Sequence, residues 1–170
     1  SNAIVWQFPS SDGYFPGITE EIESRGYYGT PVLSPEGDEL LLGDYDKGLV
    51  YAIRIDGTSA RIILNTGDKI VGSLLVDSKT KTTYISTAGR NVYAIDVENP
   101  PVSAAESQWK FSGVGHDIWG TAALATSRAH GQLLIIPSMN GTLYAVNREV
   151  NSEQISKIAW AFPTGGAIAG

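Results

Sequence analysis

The sequence predicts an all-β protein built from a repeated four-stranded antiparallel unit. The main evidence is a six-residue phrase, a turn signal followed by an apolar strand that contains Tyr-Ala. Its three copies occupy residues 48–53, 90–95 and 141–146. The central tyrosines are 42 and 51 residues apart, and a period of about 40–50 residues is typical of propeller blades. We therefore predict a β-propeller segment of about three four-stranded blades, with partial blades at both ends.

Two other phrases recur in the same frame and support the repeat. A Trp-x-Phe phrase begins at Trp6, Trp109 and Trp160. A Gly-x-x-Ile-x-Gly phrase occupies residues 67–72, 115–120 and 165–170, and 26–29 is a shorter version of it. Glycine permits positive φ and close backbone approach at such positions. No helix is predicted after these glycines, so the phrase does not indicate a phosphate-binding loop.

The six-residue phrase is nearly continuously apolar and rich in β-branched and aromatic residues. This pattern favours a strand that is covered on both faces, as in a sheet between two other sheets. A strand pair inside an ordinary β-sandwich is the alternative interpretation.

The first predicted unit spans about 28–64. Its strands are expected at Tyr28–Leu33, Glu39–Leu42, Leu49–Ile55 and Ala60–Leu64. Turns are expected at 35–38 and at Asp56-Gly57, because these residues favour turn conformations. Ile63 is predicted to take the place that tryptophan has in the other units.

The second and third predicted units span about 72–111 and 120–162. Strands of the second are expected at Ser73–Val76, Thr82–Ser86, Asn91–Asp96 and Ser107–Phe111. Strands of the third are expected at Ala122–Thr126, Gln132–Ile136, Thr142–Asn147 and Lys157–Phe162. Longer polar connections at 98–105 and 148–154 precede the last strand of each unit.

The ends of the chain are assigned to incomplete units. Residues 1–3 resemble the scar of an expression tag, and 4–170 is taken as a single partial propeller. Residues 4–8 are predicted as the last strand of one incomplete blade, and 165–170 as the start of another. Residues 9–25 form an insertion loop with Pro and Gly breakers, in which 19–24 is expected to make a helical turn.

Composition and charge narrow the function classes. A hydrophobic fraction of 42% indicates a globular chain, and no apolar run approaches the length of a membrane span. There is no cysteine, which excludes disulfides and thiolate chemistry. The net charge of −6 combines −8 in residues 1–46 (nine acids, one base) with +2 in the rest (nine acids, eleven bases). Without a basic stripe, nucleic-acid binding is not predicted.

Few residues suggest catalysis or metal binding. Asp44-Tyr45-Asp46-Lys47-Gly48 is similar to the start of a calcium loop but lacks its later ligands, so a tight turn is predicted and no metal site. Adjacent acids at 20–21 and 38–39 are predicted to be solvated loop charges. His116 precedes Asp117 in a loop, where either a ligand contact or a surface turn fits.

The recurring phrases together resemble those of the pyrroloquinoline-quinone-like repeat propellers, a quinoprotein-type family. Tyr93-Ala94-Ile95-Asp96 matches the family's Tyr-Ala-x-Asp, and Trp109 and Trp160 fit its docking tryptophan, which packs between blades. Thr66-Gly67 and Thr164-Gly165 are similar to its Thr-Gly turn. Arg54 and Asn147 replace the aspartate in two units.

The resemblance implies a propeller, an extracytoplasmic location (periplasmic or cell-surface), and several possible functions. We expect a non-enzymatic scaffold that binds a protein partner, with no cofactor. One alternative is a fragment of a quinone-dependent dehydrogenase, with pyrroloquinoline quinone and calcium as cofactors. Many such enzymes hold the quinone against a disulfide of adjacent cysteines, and this chain has none. Another alternative is a domain that senses a small sugar or peptide.

The repeat frame places one set of candidate binding residues at the same end of the units. The set is Tyr27, Tyr28, Asp68, Lys69, His116, Asp117 and Trp119. Aromatic residues with a few charges suit recognition at such a rim. Three units do not close a ring, so self-association through the end blades is also expected.

Overall fold

The structure is a computed structural model that describes residues 4–19, 21–23, 26–148 and 157–169. Within these ranges the chain forms twelve strands, and Ala104–Glu106 forms a short 3-10 turn. No helix in this part of the chain is long and apolar enough to cross a membrane. The predictions for the tag scar at 1–3, for Glu20, for residues 149–154 and for Gly170 concern residues outside the described ranges.

The strands form three four-stranded antiparallel sheets, each with its strands in chain order. The first sheet contains β1 (Val32–Leu33), β2 (Glu39–Gly43), β3 (Leu49–Arg54) and β4 (Ala60–Asn65). The second contains β5 (Leu75–Asp77), β6 (Thr82–Ser86), β7 (Val92–Asp96) and β8 (Trp109–Phe111). The third contains β9 (Ala123–Ser127), β10 (Gly131–Ser138), β11 (Thr142–Asn147) and β12 (Ile158–Pro163). The predicted all-β class and its four-stranded antiparallel units are confirmed.

The turn before each tyrosine strand has one residue in the left-handed region. This residue is Gly48 (φ +67°), Arg90 (φ +68°) or Gly141 (φ +75°). In the first of these turns the Lys47 N–H donates to Asp44 Oδ1 at 2.7 Å. The tight turn predicted at residues 44–48 is therefore confirmed.

The second sheet is covered on both faces. Leu41 and Val50 of the first sheet share a buried cluster with Ile85 and Ile95 of the second. On the opposite face of the second sheet, a further buried cluster joins it to the third sheet. That cluster includes Val92, Trp109, Phe111, Leu134 and Val146. The nearly continuous apolar pattern of β7 follows from this double coverage.

The three repeated tyrosines all point to the same side of their sheets. Tyr93 packs toward the first sheet and Tyr144 toward the second. Tyr51 packs toward the N-terminal residues, in a cluster with Phe8 and Phe15. Tyr51 and Tyr93 are buried, whereas Tyr144 is half-buried. Burial raises the pKa of the Tyr51 hydroxyl, with smaller contributions from the nearby Tyr27 and Asp44.

The strand predicted at residues 4–8 is wrong, because this segment is irregular. It is held by side-chain contacts instead of a strand ladder. The Trp6 indole N–H donates to the Ile55 carbonyl oxygen at 3.0 Å. A Cβ added to Gly57 would lie 2.4 Å from the Trp6 ring, so this glycine makes room for the indole.

The predicted insertion loop covers the outer face of the first sheet. Phe15 and Ile22 are buried there, in the same cluster as Leu42 and Ile53. No helical turn occurs at Thr19 or at 21–23, so that prediction is wrong for the residues described. A single bridge between Phe15 and Ile18 shapes the loop instead.

The first strand is shorter than predicted, since β1 begins at Val32 and the prediction began at Tyr28. Pro31 has no N–H for a ladder, and the Thr30 N–H donates to Ser73 Oγ in the next sheet's approach segment. The backbone before Pro31 is therefore bonded to a neighbouring unit.

Two predictions about side chains in the first sheet are also wrong. A register shift between Val50 and Tyr51 places Arg61 opposite Ala52, where Trp109 lies opposite Ala94 in the second sheet. Arg61, and not Ile63, therefore holds the tryptophan position. Arg61 donates to both carboxylate oxygens of Glu39, at 3.2 and 2.9 Å. Glu39 is thus a buried, paired strand residue and not a solvated loop charge.

Candidate functional site

Five of the seven predicted site residues lie in the segments that connect one sheet to the next, and Tyr27 and Tyr28 lie in the segment that precedes the first sheet. We call this end of the sheets the groove end; it contains residues 26–31, 44–48, 66–74, 87–91 and 112–122. Backbone bonds tie each connection to a turn: Ala88 N–H donates to the Lys69 carbonyl oxygen, and Met139 N–H to that of Asp117, both at 2.9 Å. These bonds fix the connections against rigid sheets, which favours a preorganised site.

Glycines let the three connections touch backbone to backbone. A Cβ added to Gly29 would lie 2.7 Å from the Gly72 carbonyl oxygen. A Cβ added to Gly72 would lie 2.8 Å from both the carbonyl carbon and the oxygen of Gly120. Side chains cannot fit at such distances, so the repeated glycine is explained by close approach of neighbouring units.

The residue after each of these glycines carries a hydroxyl. The Thr30 N–H donates to Ser73 Oγ at 2.8 Å, and the Ser73 N–H donates to Thr121 Oγ1 at 2.9 Å. Each bond links one unit to the next, and the accepting hydroxyl retains its own hydrogen for a further bond.

These glycines and hydroxyls line a groove of about 310 Å³. Its described lining is Tyr28, Gly29, Thr30, Val71, Gly72, Ser73, Trp119, Gly120, Thr121 and Ala169. Tyr28 is 67% exposed and Trp119 is 40% exposed. The structure therefore brings together two of the predicted aromatic residues, which are 91 positions apart in the sequence.

Tyr28 is held by a neighbour that the sequence prediction did not include. Its ring packs edge-to-face on Tyr45, with the centroids 4.8 Å apart. Lys69 Nζ lies 4.8 Å from the centroid of the same Tyr45 ring and donates to its hydroxyl at 3.4 Å. Tyr45 thus links Tyr28 to Lys69 and completes an aromatic and cationic cluster beside the groove.

His116 and Asp117 form a separate polar cluster with Arg90. The Asp117 N–H donates to His116 Nδ1 at 2.9 Å. Arg90 Nε lies 3.9 Å from Asp117 Oδ1, and both side chains are partly exposed. These residues do not line the groove but flank it through the connection that carries Trp119.

Asp68 faces the turn of the second sheet. Thr87 Oγ1 donates to Asp68 Oδ2 at 3.4 Å, and the Lys69 N–H donates to Asp68 Oδ1 at 2.9 Å. A Cβ on Gly89 would lie 1.4 Å from Asp68 Oδ2, so Gly89 leaves the space that this carboxylate occupies. Asp68 therefore links the connection at 66–74 to the turn at 87–91.

Tyr27 belongs to the core and not to the rim. Its ring packs on Phe8 and Tyr51, at centroid distances of 6.2 and 6.3 Å. Tyr28, the next residue in the sequence, is in contrast 67% exposed. The prediction grouped them because the sequence alone does not tell which of two neighbouring tyrosines faces inward.

The sequence did not lead us to predict Tyr45 and Arg90 as site residues. Tyr45 was considered only as part of a calcium-like turn, and Arg90 only as part of the repeated phrase. The repeat pattern could have indicated both residues, because the turns at 44–48 and 87–91 occupy the same place in the repeat and adjoin the connections.

A larger cavity, of about 410 Å³, lies at the opposite end between the second and third sheets. Its floor is an ion pair in which Arg148 Nη1 donates to Asp77 Oδ2 at 2.6 Å; both side chains are 8% exposed. The same Nη1 donates to the Tyr84 hydroxyl and Nη2 to Gln132 Oε1. Arg148 thus already bonds three other side chains and joins the second sheet to the third. This cavity is therefore a weaker candidate for ligand binding.

The described residues do not form a calcium site of the kind that the resemblance implies under its dehydrogenase alternative. Within them, one group of three metal-type ligands comes together: Asp38, Glu39 and Glu98. It lies at the end away from the groove, and Arg54 and Arg61 pair with two of its carboxylates at 2.9 Å.

Comparison with known proteins gives no family for this chain. No protein-family model matches it, and no curated protein matches it.

Proposed function

We propose that the three sheets are consecutive blades of a partial β-propeller, and that the chain is a non-enzymatic scaffold whose groove end binds a segment of a partner protein. The observation that carries the binding proposal is the pair of exposed aromatic rings, Tyr28 and Trp119, on a groove floor of glycine backbone.

The blade arrangement is supported by the equivalence of the sheet faces. In each sheet, the face that carries the repeated tyrosine is directed toward the preceding part of the chain. The opposite face of the second sheet, which carries Ala94 and Trp109, is covered by the third sheet. In propellers and other repeat proteins, each unit makes the same kind of contact with the next unit.

Protein recognition is supported by the chemistry of the rim. Tyrosine and tryptophan are enriched among residues that dominate binding energies, because they bury a large area with few rotatable bonds. Tyr45 already restrains Tyr28, so little further side-chain entropy is lost when a partner binds. The glycine backbone and the hydroxyls of Ser73 and Thr121 offer hydrogen-bonding groups to an extended peptide.

A binding role fits this groove better than a catalytic one. Its described lining carries no acid, histidine or lysine, the side chains that most often serve in general acid–base catalysis. His116, the nearest histidine, already accepts a bond at Nδ1 from the Asp117 N–H.

Selection from a phage-displayed library of random twelve-residue peptides tests the proposal on the intact chain. We expect enriched peptides whose affinity falls roughly 10- to 100-fold for Tyr28→Ala and for Trp119→Ala, because such anchors are worth about 2 kcal/mol or more. Val102→Ala is the matched control, since Val102 is 95% exposed at the opposite end.

The proposal is overturned if the selected peptides bind both alanine variants with wild-type affinity. It is also overturned if the library yields no peptide but oligosaccharides bind the groove in a Trp119-dependent manner, which would indicate a small-ligand sensor.

A further inference from the structure

The outer face of the third sheet is apolar although its strands end the described stack. Strand register places Ile135, Leu143, Trp160 and Phe162 on this face, together with Leu133 and Ala145, which are buried. Trp160 is 39% exposed and Phe162 is 59% exposed. Antiparallel sheets that face water alternate apolar and polar residues, whereas β11 and β12 are apolar on both faces.

The second sheet shows what such a face normally contacts in this molecule. Trp109 lies opposite Ala94, as Trp160 lies opposite Ala145, and Phe111 lies opposite Val92, as Phe162 lies opposite Leu143. In the second sheet these residues are buried against the third sheet. The open face of the third sheet therefore has the residues of an interface that another sheet covers elsewhere in the same chain.

This face is also uncharged. Across β9 to β12, its residues are aliphatic, aromatic, small or amide-bearing, and no Asp, Glu, Lys or Arg lies among those described there. Two copies of such a face can meet without desolvating a charge, although the chain as a whole carries −6.

We propose that this face is a self-association surface, on which the third sheets of two copies pack together around a two-fold axis. The first sheet's outer face is not available as a partner, because Phe15, Ile22 and other N-terminal residues cover it. The matching apolar sheet face on a second copy is therefore the same face, which gives a closed, isologous dimer.

The expected affinity is modest. Four strands of about five residues give a face of roughly 19 by 17 Å, or about 320 Å² for each copy, which is less than half of the roughly 800 Å² per partner that standard interfaces bury. We therefore expect dissociation in the micromolar range. This surface is separate from the groove, so the proposal does not depend on the proposed binding function.

Sedimentation velocity of the full chain from 1 to 200 µM tests the proposal. We expect a monomer–dimer equilibrium in which Phe162→Ala weakens the dimer at least tenfold and Phe162→Asp leaves a monomer. Val102→Asp adds the same charge at an exposed position away from this face and should leave the equilibrium unchanged. Far-UV circular dichroism checks folding, and the alanine variant serves as the test if the aspartate variant does not fold.

A wild-type chain that remains monomeric at 200 µM overturns the proposal. A dimer with unchanged affinity in Phe162→Ala overturns it as well. Open-ended growth to larger species would show a head-to-tail contact and would contradict the two-fold arrangement.

Discussion

Asp77 and Arg148 are the residues whose ionisation is most closely tied to packing between sheets. Burial opposes ionisation of Asp77, but hydrogen bonds from Arg148, the Lys79 N–H and Thr80 hold the pKa of its carboxyl below the ordinary value. The Asp77 carboxyl therefore binds a proton more readily in the unfolded chain than in the folded chain. The stability that the pair contributes is complete above about pH 4, the ordinary range for aspartate, and is lost as pH falls through the lower folded pKa.

We predict that Arg148→Met lowers the free energy of unfolding by about 3 kcal/mol at pH 7, because it leaves a buried carboxylate without its cation. As the pH falls, the buried carboxyl that has lost its cation in the variant takes up a proton, so the difference from wild type should shrink. Urea unfolding at pH 7 and at pH 3 measures both values.

The control for this prediction is Glu36→Gln, which breaks the Lys81–Glu36 pair. Its side chains are 65% and 43% exposed, so little change is expected at either pH. A difference between Arg148→Met and wild type that does not vary with pH would assign the loss to packing alone.

At the level of strands, the sequence predicted the repeat well, because apolar runs and turn residues are local signals. The predicted Thr82–Ser86 and Thr142–Asn147 are the observed bounds of β6 and β11. The failures at 4–8 and 28–31 have a different origin. Trp6 and Thr30 are bonded to distant residues, Ile55 and Ser73, and no local pattern reports such a partner.

The N-terminal segment illustrates how irregular structure can replace a sheet as a cover. Phe15 is 6% exposed and packs edge-to-face on Phe8 at 5.1 Å, whereas its neighbour Tyr14 is 47% exposed. We predict that Phe15→Ala lowers the free energy of unfolding by about 3 kcal/mol, as for other buried aromatic residues.

Tyr14→Ala is the matched control and should change stability by less than about 0.5 kcal/mol. Urea midpoints with an unchanged m-value are the measurement. Equal effects of the two substitutions would show that residues 9–18 do not cover the first sheet in solution.

Across the whole molecule, the three sheets are joined at the groove end by glycine contacts and elsewhere by two buried clusters. The sequence showed that Gly29, Gly72 and Gly120 recur, but it could not show that they touch, because the contact is between units and not within one. The composition of the groove was unpredictable for the same reason, as Tyr28 and Trp119 meet only after the sheets have stacked.

We predict that Gly72→Ala destabilises the chain by about 1–3 kcal/mol, since its Cβ would meet the Gly120 backbone at 2.8 Å and two units would have to separate. Gly166→Ala is the control, because a Cβ there meets nothing within 4 Å. Thermal unfolding compares the two. Similar midpoints would show that the units do not approach each other as closely as the glycine contacts require.

Arg90 occupies a turn position at which the other two units have glycine, with φ at +68°. A left-handed conformation costs a residue with a side chain about 1–2 kcal/mol, whereas an exposed pair such as Arg90–Asp117 returns about 1 kcal/mol at most. Stability alone would favour glycine at this position. Arg90 therefore lowers the stability of the folded chain on balance. Its guanidinium is partly exposed to solvent, next to the connection that carries Trp119.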